Sequence, residues 1–380
     1  MKTYNFKPVT DYIENVLHKE KGVPSCDILI YKNHEPVLRF FCGHSDYENK
    51  TPLNGNEIYN IYSCTKVMTC TAAMQLVERG IIGLDDPVSK YLPAYENAFV
   101  IKDGKQTKVS RPMTIRHLFT MSGGLDYDTK KQPILDLLSA KPDAGTVEIA
   151  NSFALSPLQF EPGEKFRYSL CHDVLGAVVE VASGMRFSEY LQQNILQPLE
   201  LKRTGFVISE DEKGNIVAQY RHCGNGKIAP VSLFRDTNLP ATYESGGGGL
   251  YTCVEDYATF VDALANGGVG KNGNRIIKTQ TIDLMRTEQL SACTKDSTFS
   301  CAAGPGYGYA LGMRTLIDKA TGAKSNLGEF GWDGAAGAYT LMDPAHGLAI
   351  FFAMHVLGWP DMIGFGHAPI RDLTYEALGL

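Results

Sequence analysis

"NIYSCTKVMTCTAAMQLVERG", residues 60–80, is the stretch on which the rest of the chain turns. From Thr65 to Arg79 the apolar residues fall at helical spacing in two overlapping sets, Met68, Ala72, Leu76 and Val67, Met74, Val77. This predicts a helix apolar round most of its girth, ended by Gly80. Such a helix lies buried between layers. Ser63 then sits at its N-terminus with Lys66 one turn later on the same face, so their side chains can touch. A serine hydroxyl is a poor nucleophile unless a nearby base takes its proton, and a helix N-terminus adds an unpaired N–H and a favourable field for an oxyanion. A bare SxxK is equally what an N-cap serine followed by an unrelated lysine produces. The pair alone leaves both readings open.

Working outward, residues 5–21 read as an amphipathic helix through Val9, Ile13 and Val16/Leu17. "CDILIYKNHEPVLRFFCG" (26–43) gives two β-rich runs about a "KNHEP" turn, a hairpin. From "DDPVSKYLP" (85–93) to about residue 240 strand signals thin out and helical patterns dominate: "MTIRHLFTMSGG", "HDVLGAVVEVASG" and "FSEYLQQNILQPLE". After "ESGGGGLYT" (244–252) comes a helix, "VEDYATFVDALANGG". The runs "YGYALGMRT", "GAYTLMDP" and "GLAIFFAMH" then read as antiparallel strands, and a terminal helix starts at about 369. The expected fold is α/β of the α+β type, an antiparallel sheet flanked by helices. Residues 1–100 with 240–380 are expected to form one discontinuous domain and 101–239 a mainly helical one, with the active site between them.

A chain of 380 residues exceeds the size at which single cores stop growing, roughly 250–300 residues, which also favours two lobes. Its hydrophobic fraction of 44% and charged fraction of 21% are those of a globular protein and argue against disorder. A formal charge of -6 with scattered Lys and Arg offers no basic stripe for nucleic acid and no polybasic arm for lipid. A small-molecule partner is expected, with no nucleic acid and no membrane insertion. The N-terminal "MKTYNFKPVTDYIENVLHKEK" has no apolar signal region, and no run of about 18 apolar residues occurs. Nine cysteines (Cys26, Cys42, Cys64, Cys70, Cys171, Cys223, Cys253, Cys293 and Cys301) are odd in number and lack CxxC spacing. They read as free thiols, mostly buried, in a reducing compartment, so a cytoplasmic location is expected.

Other signals fail. No GxSxG elbow occurs. "GGVGKNG" (267–273) tempts as a phosphate loop, but Ala265 stands where the first glycine belongs and Asn272 follows the lysine, so it reads as a surface turn. No HExxH or paired Cys/His spacing supports a metal, and Cys171–His172 reads as two packed neighbours. Neither a metal nor an organic cofactor is expected.

Six segments carry the functional reading: "SCTKVMTCTAAMQLVERGIIGLDDPVSKYLP", "MTIRHLFTMSGGLDY", "FEPGEKFRYSLCHDVLGAVVE", "PLELKRTGF", "ESGGGGLYTCVEDYATFVDALANGG" and "FGWDGAAGAYTLMDP". In that order they resemble the serine β-lactamase and penicillin-binding-protein-like superfamily, in the branch holding class C β-lactamases, D-alanyl-D-alanine carboxypeptidases and β-lactamase-like (family VIII) carboxylesterases. The resemblance implies that Ser63 is an acylated nucleophile with Lys66 as its partner. The family's Tyr-x-Asn motif falls on "YSL", so Tyr168 would shuttle the proton with Lys66. Neutralising an ordinary lysine at pH 7 costs about 4.6 kcal/mol; burial or a shared proton reduces this, and which of the two residues is the base stays open. The third motif, Lys-Thr-Gly or His-x-Gly in the family, falls on "WDG". Trp332 would then line the cleft, Gly334 would let the strand approach the substrate, and the N–H of Ala335 would join that of Ser63 as the oxyanion donors.

Two departures bear on substrate. Leu170 replaces the asparagine that in the family binds an acyl side-chain amide and helps hold the lysine. Trp332 replaces the cation that helps hold a substrate carboxylate, and Asp333 would repel an anion if it faced the cleft. A charge-assisted hydrogen bond is worth roughly 1.5–3 kcal/mol, so β-lactams and D-Ala termini lose part of their anchor. Trp-x-Gly resembles the family VIII carboxylesterases, which implies small uncharged esters as substrates. The alternatives are a D-amino-acid peptidase or carboxypeptidase with weak β-lactam hydrolysis, an acyltransferase using an alcohol other than water, and a ligand-sensing scaffold whose catalysis has decayed.

Overall fold

The structure is a computed structural model and describes residues 4–232, 239–290, 304–320 and 322–380. The hairpin at the start of the chain is β1 (Ser25–Lys32) and β2 (Glu35–Asp46), joined by Asn33 and His34, both at positive φ (52° and 66°). Two consecutive left-handed residues are what a two-residue type I′ turn requires, because its twist matches that of the strands. After β3 (Thr51–Pro52) and β4 (Ile58–Asn60) the chain enters a helix and does not return to strand pairing with β4 until β5 (Tyr251–Cys253). Five later strands are β6 (Tyr307–Tyr309), β7 (Arg314–Leu316), β8 (Phe330–Gly331), β9 (Tyr339–Asp343) and β10 (Leu348–Ala353). They join β1, β2 and β3 in one eight-stranded sheet of order β6-β7-β8-β9-β10-β1-β2-β3, with each neighbouring pair antiparallel. The long-range pairing of β1 with β10, Asp27 opposite Ala353 to Lys32 opposite Leu348, closes the two ends of the chain on each other.

Both faces of the sheet centre are covered, and the alternation along each strand shows how. Ile28 and Ile30 of β1, with Ile350 and Phe352 of β10, face the terminal helices: α1 (Lys7–Asp11), which continues in wider π-type turns over Tyr12–Glu20, and the C-terminal helix Ala368–Leu378. Val9, Ile13 and Leu17 bury there as their spacing requires, whereas Val16 is only half-buried. Leu29 and Phe351 point to the other face and pack in the larger core with α2 (Thr65–Glu78), α3 (Cys171–Ser183) and α4 (Val254–Ala265). Helix α2 is buried from Thr65 through Leu76, and Gly80 follows it at φ 69°.

Residues 101–239, expected to be mainly helical, hold α3 and the helices Gln132–Ala140 and Thr146–Phe153, and short strands as well. One hairpin runs Phe99–Lys102 to Lys105–Lys108 across Asp103 and Gly104 at positive φ; another runs Tyr220–His222 to Ile228–Pro230 across a loop holding Asn225 and Gly226, again at positive φ. The second lies parallel to Val356–Leu357, so this segment is stitched to the C-terminal part of the chain. Asp-Gly and Asn-Gly are strong turn signals; beyond the apolar residues 99–101, flanks such as "KQTK" and "YRH" lack the apolar alternation that announces strands.

Among the described residues no helix is long and apolar enough to cross a membrane. Seven cysteines there are free thiols, five of them buried, with Cys42 half-buried and Cys223 exposed. Cys293 and Cys301 lie outside the described residues.

Candidate active site

Ser63 is placed by β4 and the turn that follows it. β4 ends at Asn60, Tyr62 takes a left-handed φ of 47°, and Tyr62–Cys64 form one 3-10 turn before α2 begins at Thr65. Ser63 therefore lies in that turn, directly before the N-cap Cys64, and α2 has no side-chain cap. Lys66, in the first turn of α2, still reaches it: Lys66 Nζ donates to Ser63 Oγ at 3.0 Å. Lys66 is fully buried, donates also to the carbonyl of Gly247, and lies over the ring of Tyr168, 4.8 Å from its centroid.

Tyr168 is held by its neighbours, since Arg167 N–H donates to Met121 O (2.8 Å) and Leu170 N–H to Asp126 O (3.3 Å) just ahead of α3. Its hydroxyl accepts from the indole N–H of Trp332 at 2.9 Å. The contact of Tyr168 with Lys66 is through its ring, while the phenol is bonded to the tryptophan. Trp332 follows β8; its rings pack against Tyr168 (5.5 Å) and edge-on against Tyr309 (5.2 Å, 85°), which leaves it 4% exposed.

Asp333 does not stand as a free negative charge. Buried Arg314 donates to its carboxylate at 2.7 Å and His367 lies 3.6 Å away. Burial by itself raises a carboxyl pKa; Arg314, then His367, more than reverse this and leave Asp333 below its ordinary value. Gly334 has no room for a side chain, because a Cβ there would lie 2.5 Å from the carbonyl of Ile61, two residues before Ser63. This close approach brings Ala335 beside the serine.

Two pockets meet at Ser63, Tyr168 and Ala335. One, of about 420 Å³, is lined further by Leu170, Tyr127, Phe206, Leu239, Tyr243 and the glycines 247–249. The other, of about 280 Å³, is lined by Trp332, Asp333, Gly334, Trp359, Met362 and His367. Among the described residues neither pocket is lined by Lys or Arg. Thus the residues singled out from the sequence, namely Ser63, Lys66, Tyr168, Leu170, Trp332, Asp333, Gly334 and Ala335, converge on one place.

Sequence reasoning missed three contributors. Tyr127, whose ring packs tilted 5.7 Å from that of Tyr168, ends the segment "MTIRHLFTMSGGLDY", which enters the resemblance by its order alone. Gly247, which accepts from Lys66, acts through a backbone carbonyl that no residue type advertises. Asp173 lines the larger pocket from the first turn of α3. Two titratable neighbours are structural. His172 is buried with Nε2 3.1 Å from Phe119 O, and burial, then the Lys66 cation, push it down to about 3. His117 closes a capping box with Thr114, and burial lowers it to about 4. Among the described residues no group of three or more His, Cys, Asp or Glu is arranged to hold a metal ion.

The chain as a whole has relatives. Esterase EstB of Burkholderia gladioli is 27% identical over 384 residues, covering 94% of this chain and 92% of EstB. A putative D-alanyl-D-alanine carboxypeptidase of Salmonella schwarzengrund is 25% identical over 364 residues, covering 89% of this chain and 80% of its own. Among solved structures, EstCE1, described as a hydrolase with promiscuous acyltransferase activity, matches with a TM-score of 0.80 at 26% identity, covering 97% of this chain and 99% of that one. The family model described as Beta-lactamase matches residues 9–365, and the chain therefore belongs to the Beta-lactamase family, as a serine hydrolase of the beta-lactamase and penicillin-binding-protein type.

Proposed function

We propose that this protein is a carboxylesterase acting on small uncharged esters through an acyl-enzyme on Ser63. In the first half-reaction Ser63 Oγ attacks the ester carbonyl while its proton passes to the unit formed by Lys66 and Tyr168. The ester C–O bond then breaks and the departing alcohol takes a proton from that unit. In the second, water attacks the acyl group, gives up its proton to the same unit, and Ser63 recovers its own. The backbone N–H groups of Ser63 and Ala335 are the proposed oxyanion donors, each typically worth about 3–4 kcal/mol of barrier. Leu170 and Trp332 form apolar walls, and Gly334 permits the close approach.

One observation carries the choice of ester over charged substrates. Where a carboxylate-binding cation would stand, Trp332 is turned into the cleft with its N–H bonded to the Tyr168 hydroxyl. The nearby cation, Arg314, is already bound to Asp333. The similarity to EstB and EstCE1 supports the same reading. The test is parallel turnover by the protein and its Ser63→Ala variant on p-nitrophenyl acetate and butyrate, a chromogenic cephalosporin, and D-Ala-D-Ala and D-aminoacyl amide substrates. Serine-dependent ester turnover, with little on the rest, is expected; preference for the lactam or D-peptides refutes the assignment. Adding a primary alcohol to the ester assay measures how far the acyl group goes to acceptors other than water.

A further inference from the structure

Lys66 is fully buried, and beside Ser63 its bonded acceptor is the carbonyl of Gly247. Leu170, ahead of α3, has no side-chain polar atom to offer it. The geometry of Gly247 therefore decides where the lysine points, and Gly247 belongs to a strap, residues 242–249, threaded between α2 and α3.

Each residue leading into the glycines is tied down. Thr242 Oγ1 donates to Ala144 O at 3.0 Å, and Glu244 N–H donates to Thr146 Oγ1 at 2.9 Å while its carboxylate accepts from Ser188 N–H and Arg186. The Tyr243 hydroxyl (2.7 Å) and the Ser245 hydroxyl (2.6 Å) both donate to one oxygen, Oδ1 of Asp173. Its other oxygen, Oδ2, is buried with no hydrogen-bond partner and faces the backbone of Gly247, where a Cβ would come within 2.2 Å. A Cβ on Gly246 would lie 2.5 Å from His172 O, and the Gly246 carbonyl accepts from Thr69 Oγ1 at 2.7 Å. An unpartnered buried carboxylate oxygen is costly to keep, yet this carboxyl grips the strap from one side and abuts it on the other.

We propose that Asp173 is a positioning residue: by bracing the 242–249 strap it sets the Gly247 carbonyl that aims Lys66 at Ser63. This rests on the reading of Ser63 as nucleophile and Lys66 as part of its base. A carbonyl can only accept, so it takes one N–H of the lysine and fixes it away from the serine. When the amine is neutral its lone pair can then turn to Ser63 Oγ while its second N–H takes the remaining direction. The proton moves from Oγ to Nζ as the Oγ electron pair forms the bond to the acyl carbon. Letting the strap slide turns the amine, and misplacement by about 1 Å costs on the order of a hundredfold.

The test uses p-nitrophenyl butyrate, which has no hydrogen-bond donor for Asp173 to bind, so a lost substrate contact cannot mimic the effect. For Asp173→Ala the expected result is a fall in kcat of about 10- to 100-fold with KM within about threefold and a displaced midpoint of the pH–rate profile. The rate at which a fluorophosphonate labels Ser63, followed by intact mass, should fall in parallel. Asp173→Asn keeps an acceptor at Oδ1 for both hydroxyls and should stay within about threefold of the parent. An unchanged kcat in Asp173→Ala, or a loss through KM alone, overturns the proposal. So does a folded Asp173→Asn protein whose kcat falls by about tenfold or more, and this second variant decides the matter if the alanine variant does not fold. Ester turnover that survives Ser63→Ala brings down the acyl-enzyme reading itself, whereas serine-dependent turnover indifferent to Asp173 brings down only the brace.

Discussion

Replacing Trp332 by Phe isolates one bond in the proposed mechanism. The phenyl ring keeps the apolar wall and most of the packing on Tyr168 and Tyr309, while the N–H that donates to the Tyr168 hydroxyl at 2.9 Å is lost. A net hydrogen bond between neutral groups is worth about 0.5–1.5 kcal/mol, which converts to about a 2- to 13-fold change in rate. The half-exposed phenol can take water as a substitute donor, so the effect belongs toward the lower end. The loss should appear in kcat, because the bond sets the direction of the Tyr168 O–H in both half-reactions and touches no part of a small ester. Steady-state kinetics on p-nitrophenyl butyrate, with thermal unfolding as a check on folding, measure it. An unchanged kcat would show that the indole does not orient the phenol. A loss confined to KM would reduce Trp332 to a wall and remove the reason for linking it to proton transfer.

Trp332→Lys should supply the missing cation, raising kcat/KM for carboxylate-bearing substrates relative to neutral esters by about tenfold or more; parallel assays on a cephalosporin and an acetate ester read the ratio. Gly334→Ala places a Cβ 2.5 Å from Ile61 O, and the shift this forces between the turn holding Ala335 and Ser63 should lower kcat/KM by about a hundredfold, measured on the same ester. His172 and His355 are held neutral by burial, at about 3 and about 4, and the Lys66 cation also lowers His172. Below the ordinary value of about 6.5 the unfolded chain binds protons that the folded one does not, so stability should fall as pH drops from about 6.5 toward 4 by up to about 1.4 kcal/mol per unit for each. Urea unfolding across that range measures the slope, and His355→Gln should flatten it.

What the sequence disclosed followed from periodicity and order. Helix α2 was legible because its apolar residues recur with no polar face, and the β1–β2 hairpin because two β-rich runs flank Asn33 and His34. The hairpins turning at Asp103–Gly104 and around Asn225–Gly226 carried turn signals but polar flanks such as "KQTK" and "RHC", which leave no one-sided pattern to read. At the site, Ser63, Lys66, Tyr168 and Trp332 were placed by the order of their segments. Asp333 was expected to repel an anion if it faced the cleft, and its answer lay in Arg314 on a neighbouring part of the sheet. Strand pairing decides that contact, and strand pairing is not written in local sequence. The same holds for Gly247, because every residue has a carbonyl and only the packing of the strap makes this one an acceptor for Lys66.

The turn before α2 shows how the fold bears the cost of presenting the serine. A tyrosine at φ 47° costs of order 1–3 kcal/mol and persists only when its surroundings over-determine it. Here Tyr62 N–H donates to Asn60 Oδ1 at 3.0 Å, its hydroxyl donates to Gln219, and Ile61 N–H is bonded to Leu250 O across the β4–β5 pair. Those bonds tie the turn to the segment 205–231 and to the end of the glycine strap at once. The left-handed step swings Ser63 out of line with α2 while Lys66 stays inside it, so the hydroxyl is presented to the cleft and the amine is kept from water. A relaxed, right-handed Tyr62 would continue the helix backward and carry Ser63 with it. The strain, the buried lysine and the glycine strap are therefore parts of one arrangement, in which the backbone on either side of the serine holds both the direction of its hydroxyl and the amine bonded to it.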